Sequence, residues 1–356
     1  MSERGRWSRR GALALLGAGA LATGAWLRRT RQPETPDAVA AALRADEDQT
    51  GFERVLGPRE FSFPRDHAAH PSFRLEWWYL TGHLRATTDA AYGFQLTFFR
   101  YALTPSVVES ASRWRAREVI LAHFAVSDID RQRFHHATRR ERAALGLAGA
   151  ETGTPAVWIR DWRLQWHDAG HGTWALHAET ARAALDLELR PLKPIVFQGD
   201  RGYSQKSDEP GNASLYYSMP RLAARGRLRL GRDTADVGGE AWLDREWGTS
   251  ALGREQRGWD WFALQFDDGR ELTYYRLRRQ DGSTDAHSRG LVIARDGTVR
   301  KLTAAEVEMT PLRWWRSPTT GLRYPVDWRV HSASGGFDVA LRARLDAQEW
   351  PGDLRY

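Results

Sequence analysis

Three short runs set a carboxylate beside indoles: Glu76-Trp77-Trp78-Tyr79, Trp242-Leu243-Asp244-Arg245-Glu246-Trp247 and Trp259-Asp260-Trp261. They draw on 17 tryptophans in 356 residues. Tryptophan buries a large apolar surface and carries one N–H that needs a partner. A neighbouring carboxylate can therefore accept that N–H, as buried polar groups generally require. It can also line a cavity that the indoles make apolar, and desolvation there raises its pKa toward neutrality. Asp244 and Asp260 are the candidate acids on the second reading and indole anchors on the first. Glu76 is expected to be structural, paired with Arg100 across a sheet, since buried acids are commonly held by arginine. Lys206, in Gly202-Tyr203-Ser204-Gln205-Lys206, is expected as a solvated loop lysine, with anion binding as the alternative.

Other chemistries find little footing. His67 and His70, His135 and His136, and His167 and His171 form pairs, but no HExxH run exists, so no metal site is expected. Ser204 lacks the second glycine of a Gly-x-Ser-x-Gly elbow. There is no phosphate-cradling glycine loop, and no cofactor is expected. The absence of cysteine removes disulfides, thiolate nucleophiles and cysteine metal ligands.

The N-terminus reads as an address. Arg4, Arg6, Arg9 and Arg10 precede an apolar run over residues 11–27, a twin-arginine export pattern. That run is short of the ~20 residues a bilayer span needs, and small residues around Ala18, Ala20 and Ala22 offer cleavage positions. Residues 1–31 are expected to be a signal peptide for periplasmic or secreted delivery; the alternative is an uncleaved inner-membrane anchor. Without cysteine, a lipoprotein anchor is excluded. The formal charge of +7 is mostly that segment: it holds seven arginines and one glutamate, so the other 325 residues carry 45 basic against 44 acidic side chains. A nucleic-acid partner is therefore not expected, because it would require a basic face on the mature domain.

Beyond a linker and short helix over residues 32–51, the hydrophobic period is two rather than 3.6. Strands are predicted over 74–85, 92–103, 118–128, 157–166, 173–180, 184–189, 213–220, 225–230, 235–245, 259–267, 271–279, 290–294, 326–331 and 337–345, and a short helix or loop over 139–147. Asp267-Asp268-Gly269 between apolar runs predicts a hairpin. Along 259–266, Trp259, Trp261, Ala263 and Gln265 alternate with Asp260, Phe262, Leu264 and Phe266, so both faces are expected to be buried. Many antiparallel strands with few helices mean a sandwich or barrel, and the length suits two domains of ~150 residues.

Several ordered motifs resemble the AttH/carotenoid-1,2-hydratase (CrtC-like) family. They are Asp66-His67 through His70 to Glu76-Trp77-Trp78-Tyr79 and Thr81-Gly82-His83; Gln95 to Arg100; Ala122-His123-Phe124; Gly202-Tyr203-Ser204 with Tyr216-Tyr217-Ser218; and Trp242 to Gly248 with Gly258-Trp259-Asp260-Trp261-Phe262. The resemblance spans roughly residues 52–350. It implies an all-β protein of two lipocalin-like (calycin) antiparallel β-barrels in tandem, 52–247 and 248–356. Arg245 stands where many relatives have histidine. The chain stops just after Trp350-Pro351-Gly352, where relatives continue, so the second barrel is expected to be truncated or open.

Three functions follow from the resemblance. The leading one is an exported protein that binds an apolar or amphipathic, isoprenoid- or lipid-like ligand, with Trp78, Tyr216, Tyr217, Trp242, Trp247, Trp259, Trp261 and His123 as candidate contacts. The second is a hydratase that protonates an isoprenoid C=C bond from Asp244 or Asp260; indole faces would stabilise the cation, and Tyr216, Tyr217 or His123 would orient water. The third is an accessory role beside a membrane transporter of the ABC type, since relatives often occur with such systems.

Overall fold

The computed structural model describes residues 49–105, 112, 115–167, 172–250 and 252–350. The export pattern, the expected helix near residues 37–48 and His171 lie outside them. The described residues lie in one compact unit.

Among the described residues, twenty strands carry the fold, with two short 3-10 turns besides. The first thirteen are β1 (Leu75–Ala86), β2 (Ala91–Ala102), β3 (Glu118–Asp128), β4 (Arg133–Arg142), β5 (Ala148–Ala150), β6 (Ala156–Ile159), β7 (Trp162–His167), β8 (Thr173–Glu179), β9 (Ala183–Pro191), β10 (Val196–Phe197), β11 (Tyr203–Gln205), β12 (Ala213–Leu230) and β13 (Asp233–Gly248). They make one antiparallel sheet in the order β4-β3-β2-β1-β13-β12-β9-β8-β7-β6-β5, with β10 and β11 also on β12. Strands β3 and β4 approach β5 and β6, so the sheet nearly closes into a barrel.

Period-two alternation sorts its residues. Trp78, Leu80 and Leu84 of β1, Leu96 and Phe98 of β2, Phe124 of β3, Leu185, Leu187 and Leu189 of β9 and Leu243 of β13 fill the interior with Trp162 and Trp174. These side chains pack the interior, as in other small barrels. Two glycines let β1 and β13 meet closely: a Cβ at Gly239 would strike the His83 carbonyl, and one at Gly82 would lie 2.5 Å from the Glu240 carbonyl. Gly239→Ala is expected to cost about 1–3 kcal/mol in urea unfolding, the usual penalty of overpacking. Gly238→Ala, whose Cβ meets only the Ala224 carbonyl at 3.8 Å, is expected to stay within about 0.5 kcal/mol.

The rest of the chain forms two smaller sheets. One joins β14 (Gln256–Gln265), β15 (Glu271–Arg279), β16 (Arg289–Ile293) and β17 (Val299–Thr303) in that order; the other joins β18 (Glu308–Arg316), β19 (Arg323–Ser332) and β20 (Phe337–Arg342). Leu272, Tyr274, Leu302, Trp328 and Val330 are buried between them. No ladder joins the two sheets into a closed barrel among the described residues.

The expected hairpin is present, with Gly269 at φ 83° between β14 and β15. The alternation over 259–266 also holds. Trp261 and Ala263 pack on Trp242 and Leu291, whereas Phe262, Leu264 and Phe266 pack on the core between the small sheets. Four expectations need correction. The strand expected over 157–166 is two, β6 and β7, paired as a tight hairpin. Residues 133–142 are strand β4, not part of a helix; residues 143–147 make the turn that follows. The predicted strands 213–220 and 225–230 are one strand with a register shift between Met219 and Leu222. Strands β17 and β18 were not predicted, because their exposed, arginine-rich residues hide the alternation.

Candidate functional site

Register builds the site. His123 on β3 lies opposite Thr97 on β2, Thr97 opposite Tyr79 on β1, Tyr79 opposite Asp244 on β13, and Asp244 opposite Ser218 on β12. These five side chains form one row across five strands, on the outer face of the barrel sheet. At roughly 4.8 Å between strands the row runs about 19 Å. The next row holds Phe99, Trp77, Glu246 and Tyr216, and on the other side stand Gln95, Thr81 and Trp242.

Elements from the second half cover this face. Trp261 of β14 meets Tyr79 edge-on at 5.2 Å between ring centroids. Trp350 stacks on His123 at 4.6 Å, and Gln348 accepts from Ser127 at 2.7 Å. His123, Thr97, Asp244 and Ser218 are buried. Trp77, Tyr79, Phe99 and Trp261 are only half-buried, so aromatic surface remains open above a buried polar row. The Tyr79 hydroxyl donates to Gln95, whose amide donates to Thr97. Burial holds the His123 imidazole neutral, its pKa down at about 3, helped by His136 and Arg140.

Asp244 is the acid of this row. Ser218 Oγ donates to its Oδ1 at 2.5 Å and Trp242 Nε1 at 2.8 Å. The Tyr216 phenol faces this carboxyl, and Trp261 packs against Tyr216. Burial raises the Asp244 carboxyl to about 7 against the three donors from Ser218, Trp242 and Tyr216, with Glu246 adding to the rise. Burial and the charges of Asp244 and Glu246 push the Tyr216 phenol well up, so it remains a donor.

Beside Asp244 lies a buried ion pair, Lys206 Nζ to Glu246 Oε1 at 2.9 Å. Lys206 also donates to Ser204 Oγ at 3.0 Å and sits 4.5 Å over the Tyr275 ring. Burial opposes its charge, but Glu246 outweighs burial and raises its pKa. The expectation of a solvated loop lysine is therefore corrected: Glu246 supplies the counter-charge that lets the ammonium go inside.

The remaining candidates lie elsewhere. Asp260 is on the opposite face of β14 from Trp261, engaged by Arg276 at 2.6 Å and Arg278 at 3.5 Å. It is an ion-pair partner, apart from the indoles and from the polar row. Trp259 is 40% exposed. Trp78, Tyr217 and Trp247 point into one end of the barrel. Trp78 donates to the His67 carbonyl, Tyr217 meets His67 Nδ1 at 2.5 Å, and Trp247 stacks on His70 at 3.8 Å. Arg245 lies 3.8 Å over Trp78 and bonds to Glu76, which also takes Arg100 at 2.8 Å and His70 at 2.8 Å. The expected Glu76–Arg100 pair is thus present, within a larger cluster. The geometry joins Asp244, Tyr216, Trp242, Trp261 and His123 from the candidate set. Thr97, Tyr79, Ser218 and Trp350 complete the site, and only strand register or tertiary packing identifies them.

A separate groove crosses β7, β8, β9 and β12, lined by Arg163, Gln165, His177, Asp186, Glu188 and Arg225. Its charges are partly paired, as His177 with Asp186 at 2.5 Å, and it lacks the aromatic walls that surround Asp244. No three His, Asp or Glu side chains converge as a metal site among the described residues.

The fold and this face define an all-β protein built on a nearly closed barrel-like sheet. Residues 54–356 match the AttH-like family, and the chain belongs to it. Among solved structures, a Nitrosomonas europaea protein described as an AttH is 33% identical, with a TM-score of 0.76 over 84% of this chain and 89% of that one. Kievitone hydratase from Nectria haematococca is 15% identical with a TM-score of 0.59, over 85% and 88% of the two chains; that likeness is one of fold. No curated protein sequence matches the chain.

Proposed function

We propose that the chain binds an elongated, mainly apolar molecule, isoprenoid- or lipid-like, along the row His123–Thr97–Tyr79–Asp244–Ser218. The observation that carries this reading is open aromatic surface over a buried polar row: Trp77, Tyr79, Phe99 and Trp261 offer π-faces, while Asp244 and Tyr216 supply one polar end. Sites for such ligands are mostly apolar with a few placed polar groups. The side chains packed inside the first barrel favour its outer face for such a ligand. In this reading the two smaller sheets act as a second, incompletely closed lipocalin-like unit that lays β14 over the ligand.

The test is a saturable titration with a fluorescent conjugated fatty acid as the probe. Trp261→Ala is expected to weaken binding at least about tenfold, as expected when a large aromatic contact is removed. Trp259→Ala is expected to leave it unchanged. Equal affinity in both variants and the wild type would remove this face from consideration.

A second reading rests on the Asp244 carboxyl, held near pH 7 beside π-faces. We propose that a bound C=C bond placed there is hydrated. Asp244 gives its proton to one alkene carbon, and the π electrons form the new C–H bond. The cation left on the other carbon lies against the Trp261 and Tyr79 rings. Water adds to it and returns a proton to the Asp244 carboxylate. The sum is addition of H₂O across the double bond with the acid restored. The fold likeness to a hydratase is compatible with this reading but does not carry it.

A further inference from the structure

Nine large apolar residues are well exposed among the described residues, and three of them, Leu312, Trp314 and Leu322, fall within one hairpin. It is formed by β18 and β19, with its turn at 317–322. Arg316 pairs in register with Arg323, and the Arg323 guanidinium lies 5.0 Å over the Trp314 ring, so an exposed indole carries a cation on its face. Neither arginine has an acidic partner among the described residues. Arg313, by contrast, is neutralised by Asp327 and Asp346, and the acid that reaches the turn, Glu349, is taken up by Ser317, Thr320 and Tyr324.

We propose that this hairpin docks on an anionic lipid surface. Trp and Leu fit the boundary between headgroups and acyl chains, and arginine stems lie along it with their charged ends outward. Two adjacent arginines at the tip, without an ion-pair partner among the described residues, are complementary to an anionic leaflet. Strand addition by a protein partner fits less well. The edge strand β18 carries Pro311 and two register shifts, features that blunt an edge against pairing.

The chain has no cysteine, so Leu322→Cys places a single environment-sensitive fluorophore at the turn of the full-length protein. This reads the hairpin itself and not any contact made by the N-terminus. On vesicles of phosphatidylglycerol and phosphatidylcholine the label is expected to shift to the blue and to be quenched by spin-labelled lipid. On pure phosphatidylcholine neither change is expected. Adding Arg316→Gln and Arg323→Gln is expected to raise the lipid needed for half the signal about tenfold or more, and higher salt is expected to act in the same direction. A label at Leu145→Cys, in the turn after β4, is expected to stay unshifted. An unshifted label at 322 on anionic vesicles, or a response indifferent to both arginines, would overturn the proposal. So would a protein-concentration-dependent shift without vesicles accompanied by dimers in sedimentation, which would assign the hairpin to a second copy.

Discussion

Replacing Glu76 by alanine is expected to lower the unfolding free energy by about 3–5 kcal/mol, the cost of breaking a buried charge network from one side. The Glu76 side chain is fully buried, as are those of Arg100 and Arg245. One carboxylate oxygen takes Arg245 and the other takes Arg100, while the His70 backbone N–H adds bonds at 3.0 and 3.1 Å. Alanine would leave Arg245 in the barrel end without a counter-charge and Arg100 with Glu118 alone, at 3.0 Å. Arg245 would keep bonds to the Ala68 and Trp77 carbonyls and its place over Trp78, which do not neutralise it. Burial alone would raise the Glu76 carboxyl, but Arg245, Arg100 and His70 hold it well below the usual carboxylate range. A carboxylate with a depressed folded pKa stabilises above its unfolded pKa, near 4.5, and loses that contribution as pH falls through the folded value. The gap between wild type and Glu76→Ala should therefore be constant near neutrality and shrink in strong acid. Urea unfolding at pH 7 and at stepped acid pH measures both effects; a loss below 1 kcal/mol at pH 7 would show that the network does not hold the barrel end.

The second large effect concerns Asp244. If the bound molecule is hydrated, Asp244→Asn is expected to lower turnover by about 10²–10⁴-fold, the range for loss of a positioned general acid. Wild-type turnover should fall as pH rises through about 7, where the carboxyl gives up its proton. Stability should fall with rising pH as well, over a lower window. The folded carboxyl binds its proton more tightly than the unfolded one, near 3.8. Between about pH 4 and 7 the native state thus holds more protons, and wild-type stability falls across that window. Asparagine removes this slope. The variant should gain on the wild type by on the order of 2–4 kcal/mol from pH 4 to pH 8. A variant that loses both turnover and stability at pH 8 would mark Asp244 as an anchor for Trp242 and Ser218 rather than an acid.

These two carboxylates show how far the residues alone could be read. Period-two alternation and turn chemistry identified an all-β chain, and the Asp267-Asp268-Gly269 turn located β14 and β15 closely. The pairing of Glu76 with Arg100 was readable because both lie on regular strands joined by a short turn. The separation of Asp244 from Asp260 was not. Both sit beside indoles, but a strand turns alternate residues to opposite faces, and only the partner strands decide which face meets cations. Asp260 meets Arg276 and Arg278, whereas Asp244 meets Ser218, Trp242 and Tyr216. The same parity divides Tyr216 from Tyr217 and Trp242 from Trp247. Thr97 and Ser218 stood within quoted motifs, but nothing there revealed their role, which comes from register across five strands. Trp350 reaches His123 from more than 200 residues away. The burial of Lys206 likewise depends on a partner on β13 that spacing does not reveal.

The binding of an elongated apolar ligand along the outer face is tested most directly by a crystal structure of the protein soaked or co-purified with a conjugated polyene. Density is predicted along the row from His123 to Ser218, against Tyr79 and Trp261, with its polar end at Asp244 and Tyr216. Density confined to the groove between Arg163 and Arg225, or inside the first barrel among Trp162 and Trp174, would contradict it.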